Sequence, residues 1–488
     1  MAIAFPNTYQ IGMASLGYQT AWRLFNQNEN VKAIRWFTDI KEPSSRGVEC
    51  RVPTYVGFSF SWELDYKNIF QILEKNDISL YSKDRGEKDP IIFCGGQVPN
   101  ANPEPFCDNF DFFLIGDLEI VAEPFINKIN EMRDLKRHEK LEAISKLPGI
   151  YVPNRKDLPW QVFTKKPITK GNLSYSSILT PDCIWPNTFI IEVVRSCPEL
   201  CRFCLASYGS LPFRTPDIKN NLIPTIDLGL KYTNKIGLMG ASVTQHPHFE
   251  ELLDYLLKIS NVQVQIASVR ADTISKKIAE GLYKLGSKSL TMAVETGSNR
   301  LRERINKKVN NETIIKSIQT IYDAGFSSIK LYGIVGLPDE TDSDVKETVN
   351  FLKEIKSRNK TKKLVWGCSV FVPKATTPFQ WYGMDSTADK KLGFLKKELH
   401  QMGVDFRAES YKWAQIQALI SRGDKTINSI LLNAYRYGST LGSFSKAMRE
   451  NRNIDSDYFI FKNWDEKIKL PWDNIQGHLS KEIVKSHV

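Results

Sequence analysis

Apolar positions along this chain fall into two rhythms. Short unbroken apolar runs, ended by Gly, Asp, Asn or Pro, predict buried strands over 2–5, 55–60, 91–96 and 110–116, with a helix over 15–26 after the first. Apolar strands separated by helical stretches predict an open parallel, Rossmann-like sheet over residues 1–130. The ligands of such sheets lie beyond the carboxyl ends of the strands. Residues 131–188 predict a linker. A connecting helix over 119–132 leads into a charged stretch at 133–140, and Pro153, Pro159, Pro167, Pro181 and Pro186 then discourage long regular structure.

From residue 189 the alternation becomes regular. Strands are predicted over 189–194, 235–239, 262–267, 289–294, 329–335 and 364–371. Between them Phe249, Leu252, Leu253, Leu256 and Leu257 recur at helical spacing, as do Ile274, Ile278, Leu282 and Leu285, then Ile314, Ile318 and Ile321, then Val345, Val349 and Leu352. Six βα units with right-handed crossovers predict a partial (β/α)6 TIM-like barrel over 189–380, with its chemistry at the carboxyl ends of the strands. Over 385–488 the pattern is mainly helical, with Trp413, Ile416 and Ile420 on one face and Ile427, Leu431 and Ala434 on the next, before an aromatic, irregular tail around Phe461, Trp464 and Trp472.

Composition adds bounds. The 488 residues are 42% apolar and 25% charged, the profile of a globular α/β chain with more than one domain. No apolar run approaches the roughly 18 residues of a spanning helix. The start lacks a basic stretch followed by a long apolar one, so the expectation is a cytoplasmic protein with no membrane partner. Eight cysteines are too sparse for a disulfide scaffold, and Cys50, Cys94, Cys107, Cys183 and Cys368 are scattered as small buried hydrophobes would be. The excess of 66 basic over 55 acidic residues, 66 − 55 = 11, permits an anionic partner such as RNA without requiring one. Its one local cluster, Arg300, Arg302 and Arg304 with Lys307 and Lys308, is expected to be a solvated helix face.

The sharpest chemistry is Cys197, Cys201 and Cys204, a C-x3-C-x2-C run at the end of the first barrel strand. Thiolates are the usual protein ligands of iron–sulfur clusters. Three of them on a four-iron cube leave one iron open, as catalytic metal sites do. A zinc site would want a fourth ligand nearby, and no His lies between His138 and His246. His246 and His248 open the helix after the second strand and have no evident third partner.

With Phe203 just before the third Cys, this motif resembles that of the radical SAM enzymes. The resemblance implies a 4Fe-4S cluster on Cys197, Cys201 and Cys204, and S-adenosylmethionine on the open iron. One-electron cleavage would then give a 5′-deoxyadenosyl radical, fed by a reductase or ferredoxin-like electron donor. It also implies a S-adenosylmethionine site at the strand ends. Gly240, Ala241 and Ser242 stand where the family's Gly-Gly-Glu-like turn receives the amino group; with one glycine and no acid, contact there would be through the main chain. Ser268 and Arg270 stand where the family meets the methionine carboxylate, which a guanidinium fork suits. Glu295 with Gly297 and Ser298 would face the ribose or the ammonium. Ile334, Gly336 and Leu337 resemble the element that packs on adenine, and main-chain groups near Phe371 would take its edge.

Residues 6–13, Gly95-Gly96 and Ile115-Gly116-Asp117 resemble the cobalamin-binding-like domain that precedes the barrel in many radical SAM proteins. The usual D-x-H-x-x-G signature is absent, and no His precedes His138. This excludes cobalamin held by a lower-ligand histidine here. It leaves cobalamin without a lower protein ligand, or a sheet that only packs on the barrel. The methylthiotransferase branch carries a second cluster on three N-terminal cysteines, but Cys50, Cys94 and Cys107 do not follow its spacing. The substrate reaction stays open between methyl transfer, methylthiolation and another hydrogen abstraction. An RNA-binding protein with a structural cluster and an electron-transfer protein with a closed one are the rival readings.

Overall fold

The computed structural model describes residues 1–40, 53–153, 161–162, 168–169 and 171–488. The N-terminal sheet comprises β1 (Ala2–Ala4), β2 (Ile34–Trp36), β3 (Tyr55–Ser59), β4 (Ile91–Gly95), β5 (Phe112–Leu114) and β6 (Ile150–Tyr151), in the order β2-β1-β3-β4-β5-β6. All neighbours are parallel except the β5–β6 pair. Its central strands are apolar because both faces are covered. On one face Phe93 stacks on Phe112 at 5.2 Å and meets Phe125 edge-on. Gly57 leaves room for this layer, since a Cβ there would lie 2.3 Å from the Phe93 ring. The edge strands β2 and β6 escape the sequence pattern: one is three residues with a central Arg35, the other two residues.

After β7 (Gln161–Val162) come β8 (Phe189–Glu192), β9 (Lys235–Met239) and β10 (Gln263–Ile266), in the order β10-β9-β8. Then follow β11 (Ser289–Glu295), β12 (Ser328–Val335), β13 (Lys363–Val370) and β14 (Asp405–Ala408), in the order β11-β12-β13-β14. Every pair is parallel, and a parallel bridge between Val269 and Met292 joins the two sheets into one arc. The six predicted strands are thus followed by a seventh. The helix Ala388–Gln401 crosses back to place β14 beside β13, inside the stretch the periodicity marks as helical.

The helix Tyr411–Arg422 and those after it lie against the N-terminal domain. Asn102 Nδ2 donates to the carbonyls of Ser421 (3.1 Å) and Gly423 (2.8 Å), and Asn428 Nδ2 to that of Pro105 (2.8 Å). Arg422, with no exposed surface, lies 3.6 Å over the Trp464 ring and donates to two carbonyls of the tail. β15 (Ile475–Gln476) pairs in parallel with β7. The N-terminal sheet, the barrel and the C-terminal helices therefore share buried contacts around the mouth of the arc.

Candidate active site

The cysteine loop leaves β8 through two non-glycine residues in the left-handed region, Ser196 (φ 68°) and Leu200 (φ 53°). Such backbone persists only where its surroundings hold it. Here Asn306 Nδ2 donates to the carbonyls of Glu199 (3.0 Å) and Leu200 (2.9 Å), and Arg202 N–H to that of Ile305 (3.0 Å). The far end of the chain closes the clamp. Arg202 Nε donates to the His487 carbonyl, and the Tyr208 hydroxyl lies 3.0 Å from His487 Nδ1.

Each cysteine has a different neighbourhood. Cys197 Sγ lies 3.8 Å from Gln245 Oε1, which accepts from Ser242 Oγ at 2.6 Å; Gln245 Nε2 in turn donates to Glu199. Glu199 Oε2 is 3.3 Å from Arg270, whose Nε is 2.7 Å from Asp272. Arg270 is buried, and its Nε and Nη2 sit in ion-pair range but outside hydrogen-bond alignment, leaving donors free for a further acceptor. Cys201 is buried, 3.7 Å from the Asn306 carbonyl. Burial pushes its thiol up to about 12, opposed by the Lys307 ammonium. Cys197 is pushed up by burial too. Cys204 opens onto a chamber of about 890 Å³.

Among the described residues no three His, Cys, Asp or Glu are gathered tightly enough for a single metal ion. A cube takes its sulfurs on separate corners, and Cys204 is close enough to Cys197 and Cys201 to raise both of those thiols electrostatically, after burial. Thiols must ionise to bind metal, and Lys307 and Arg270 are the cations that favour it here. The donor set fits a cluster with three protein ligands.

The remaining predicted site residues separate into three groups. Phe203 and Ile334 line the chamber beside Cys204, with Ser369 to Val372 at the end of β13. Gly240 and Ala241 line an adjoining cleft of about 450 Å³, with Ser196 and Leu205. Ser242, Arg270 and Glu295 flank the thiols. Glu295, itself left-handed (φ 65°), sits 2.9 Å from Lys307 Nζ. Ser268 is half-buried two residues beyond the end of β10. Gly297, Ser298, Gly336 and Leu337 are engaged in packing. A Cβ on Gly297 would lie 2.4 Å from the Thr348 backbone, and Ser298 Oγ donates to Asp344 at 2.6 Å while capping the next helix. Gly336 N–H donates to Glu340 at 2.7 Å, and Leu337 is buried beside Phe371 and Phe379.

The basic cluster is not a solvated face. Arg302 is 1% exposed and donates to the carbonyls of Val294 and Thr296. Its guanidinium lies 5.5 Å over the Phe351 ring, and burial lowers its pKa to about 10. Arg304 pairs with Asp339 at 2.6 Å, and only Arg300 and Lys308 are exposed. His246 is buried with Nε2 2.9 Å from the Pro216 carbonyl, and His248 precedes the helix Phe249–Leu257, so the pair is structural.

Family comparison places the chain that carries these residues. Residues 17–153 match the model of radical SAM proteins, N-terminal, and residues 191–352 that of the radical SAM superfamily. The chain belongs to the radical SAM superfamily. Members of that superfamily are enzymes that use a 4Fe-4S cluster and S-adenosylmethionine, and they generally draw an electron from an external donor. This radical SAM chain is 26% identical over 482 residues to the uncharacterized protein MJ0966 of Methanocaldococcus jannaschii, covering 97% of this chain and 98% of that one. It is 29% identical over 182 residues to the tRNA-2-methylthio-N(6)-dimethylallyladenosine synthase of Thermosipho africanus, covering 34% and 41%. In fold it resembles TsrM from Kitasatospora setae, a radical S-adenosylmethionine methyltransferase solved with cobalamin and a [4Fe-4S] cluster (TM-score 0.57, 10% identity, 93% of this chain and 98% of that). It also resembles the cobalamin-dependent enzyme OxsB (TM-score 0.51, 13% identity, 92% and 71%). No helix among the described residues is long and apolar enough to cross a membrane.

Sequence reasoning missed several residues of this radical SAM site. Gln245 and Asn306 carry no motif, Glu199 fills a variable position inside the cysteine run, and Lys307 reads in the sequence as part of a solvated basic cluster. Trp62 and Asp65 come from the N-terminal domain, and Trp413 and Gln417 from a C-terminal helix, to line the same chamber as Cys204. Only the position of Trp62 and Asp65, just beyond the carboxyl end of β3, could have flagged them.

Proposed function

We propose that this radical SAM enzyme transfers a methyl group, with cobalamin held between the N-terminal sheet and the barrel. The observation that carries the reading is a cavity of about 320 Å³ at the carboxyl ends of β3, β4 and β5. It is lined by Ser59, Gly96 and Gly116 on the sheet side and by Glu192, Arg195 and Gly240 on the barrel side. It adjoins the 450 Å³ cleft that reaches Ser196 and Leu205 of the cysteine loop, with Ser61, Gln97, Glu192, Arg195 and Gly240 lining both. In sheets of order 2-1-3-4-5, ligands sit in this crevice. The cofactor-bound structures of TsrM and OxsB support the same reading.

The chain's own residues would do the following. Gly96 and Gly116 bring backbone to the crevice without side chains. A network of Arg195 with Glu192 (2.6 Å) and Glu119 (2.7 Å), and of Arg214 with Asp117 (2.6 Å), ties the barrel to the sheet and lines the crevice with hydrogen-bonding groups. No His or Cys lines the cavity, so any cobalamin would have no lower ligand from these residues. Cobalamin, when bound, would supply a methyl carrier beside the cluster. Cys197, Cys201 and Cys204 would hold that cluster, which with S-adenosylmethionine supplies reductive cleavage of the sulfonium C–S bond. Arg270 and the main chain at Gly240 would take the methionine end, and Ile334 with Ser369 to Val372 the adenine. A reductase or ferredoxin-like protein would be the donor. Methylthiolation is less well supported: Cys94 and Cys107 are buried in the core, and burial raises both thiols. Cys50 lies outside the described residues.

Anaerobic reconstitution with iron, sulfide, dithionite and S-adenosylmethionine should yield 5′-deoxyadenosine or S-adenosylhomocysteine, and hydroxocobalamin should stay with the protein through gel filtration. Failure to retain the corrinoid would remove the methyl-transfer reading and leave the superfamily assignment standing.

A further inference from the structure

The 890 Å³ chamber has a wall that neither the cluster nor the adenine-side residues use. The turn Glu63–Asp65, just beyond β3, presents Trp62 and Asp65 to it, and the helix Tyr411–Arg422 presents Trp413. Trp62 is 49% exposed, at the join between the chamber and the adjoining cleft. An indole left open in an internal recess has surface to offer a ligand. Asp65 is 8% exposed. Asn7 and Asn68 both donate to its Oδ1, at 3.0 and 3.3 Å, and no described residue donates to Oδ2. Lys67 acts on it through its charge, and among the described residues no cation forms an ion pair with it. The carboxylate oxygen without a donor among the described residues therefore keeps its accepting capacity for a donor that enters the chamber, and a charged donor makes the stronger bond.

The charge of the chamber points the same way. Its charged lining residues are Asp65, Glu409, Lys67 and Lys374. Lys374 is neutralised by Glu63. Two carboxylates against one free ammonium leave the chamber net negative, on a chain whose net charge is +11.

We propose that this wall is the substrate subsite, and that the substrate is a small molecule with a flat apolar body and a protonated nitrogen. The body lies against Trp62 and Trp413, and the nitrogen donates to Asp65 Oδ2. The proposal rests on the reading of the chamber as the reaction site, because the same chamber reaches Cys204.

The test uses the reconstituted full chain and three probes of one shape, read by ligand-observed NMR: phenethylamine, 2-phenylethanol and 3-phenylpropionate. Phenethylamine should bind about tenfold or more tightly than the other two, the difference a charge-assisted hydrogen bond makes. Asp65→Asn, which keeps the shape and an oxygen for Asn7 and Asn68, should bring the amine to the level of the alcohol. Trp62→Ala should weaken all three together. Circular dichroism and iron content establish that each variant is folded and loaded. Equal or tighter binding of the acid, an amine affinity unchanged in Asp65→Asn, or no binding of any probe overturns the proposal. Release of 5′-deoxyadenosine by the unaltered protein without probe reports on the proposed function alone, so the two can fail separately.

Discussion

The chamber beside Cys204 has two walls of different origin. One is made of barrel strand ends, with Phe203 and Cys204 after β8, Ile334 on β12 and Ser369 to Val372 at the end of β13. The other is made of a turn in the N-terminal domain and a C-terminal helix, joined where Glu63 receives Lys374, 311 residues away, and Gln417, 354 residues away. Within the second wall, two acids two residues apart behave in opposite ways. Burial works against both charges. At Glu63 the Lys374 ammonium and the Gln417 amide overcome it and hold the carboxyl below its ordinary range. At Asp65 the Asn7 and Asn68 amides and the unpaired charge of Lys67 answer it only in part, and the carboxyl rises to about 6. The first acid is satisfied by the fold; the second is left for something else.

The largest effect should come from the cluster wall. Cys201→Ala should abolish iron binding and the visible absorbance of reconstituted protein, whereas Cys107→Ala should keep both. Retained iron in Cys201→Ala would put the cluster elsewhere. Next, Lys307→Met strands Glu295, whose side chain is 8% exposed, as an uncompensated buried charge. The loss should be about 3–5 kcal/mol in urea unfolding, and a variant as stable as the parent would show that the pair does not order this wall.

The facing wall yields smaller, pH-dependent effects. Because the folded pKa of Glu63 lies below its ordinary 4.5, its stabilisation is present above that value and is lost as pH falls through the folded pKa. Because that of Asp65 is raised from 3.8 to about 6, its contribution is full below 3.8 and is lost as pH rises through about 6. Unfolding midpoints measured from pH 3 to 8 should lose their acid-side fall in Glu63→Gln, and the decline toward pH 6 in Asp65→Asn. Slopes of the same sign in the two variants would erase the contrast between them. Last, Tyr208→Phe removes the hydrogen bond to the Leu200 carbonyl and the contact with His487, and should cost about 1 kcal/mol. A faster loss of iron in air from that variant would show that the chain's end guards the cysteine loop.

Short-range information in the chain was enough for much of this. The runs that became β1, β3, β4, β5, β8, β9 and β13 mark themselves because strands covered on both faces are largely apolar, and β10, β11 and β12 by the alternation of buried with more exposed positions. The three cysteines stand out in the sequence because thiols at that spacing on one loop are the pattern of a cluster loop, the role proposed for them. β2, β6 and β14 are short or polar edge strands, visible only once a neighbour pairs with them. Arg302 and Lys307 read as surface charges until the ring of Phe351 and the carboxylate of Glu295 are placed over them. Ser298 and Gly297 stand at a strand end, as ligand contacts do, yet the helix Asp342–Arg358 occupies the space beside them. The sequence by itself determined the superfamily and the alternating layers and supplied the proposal for the cluster ligands, each carried by residues close in the chain. Only the tertiary structure decided which acids are paired, which cations are buried and what faces the open thiol, because those depend on groups hundreds of residues apart meeting in a space that water has left.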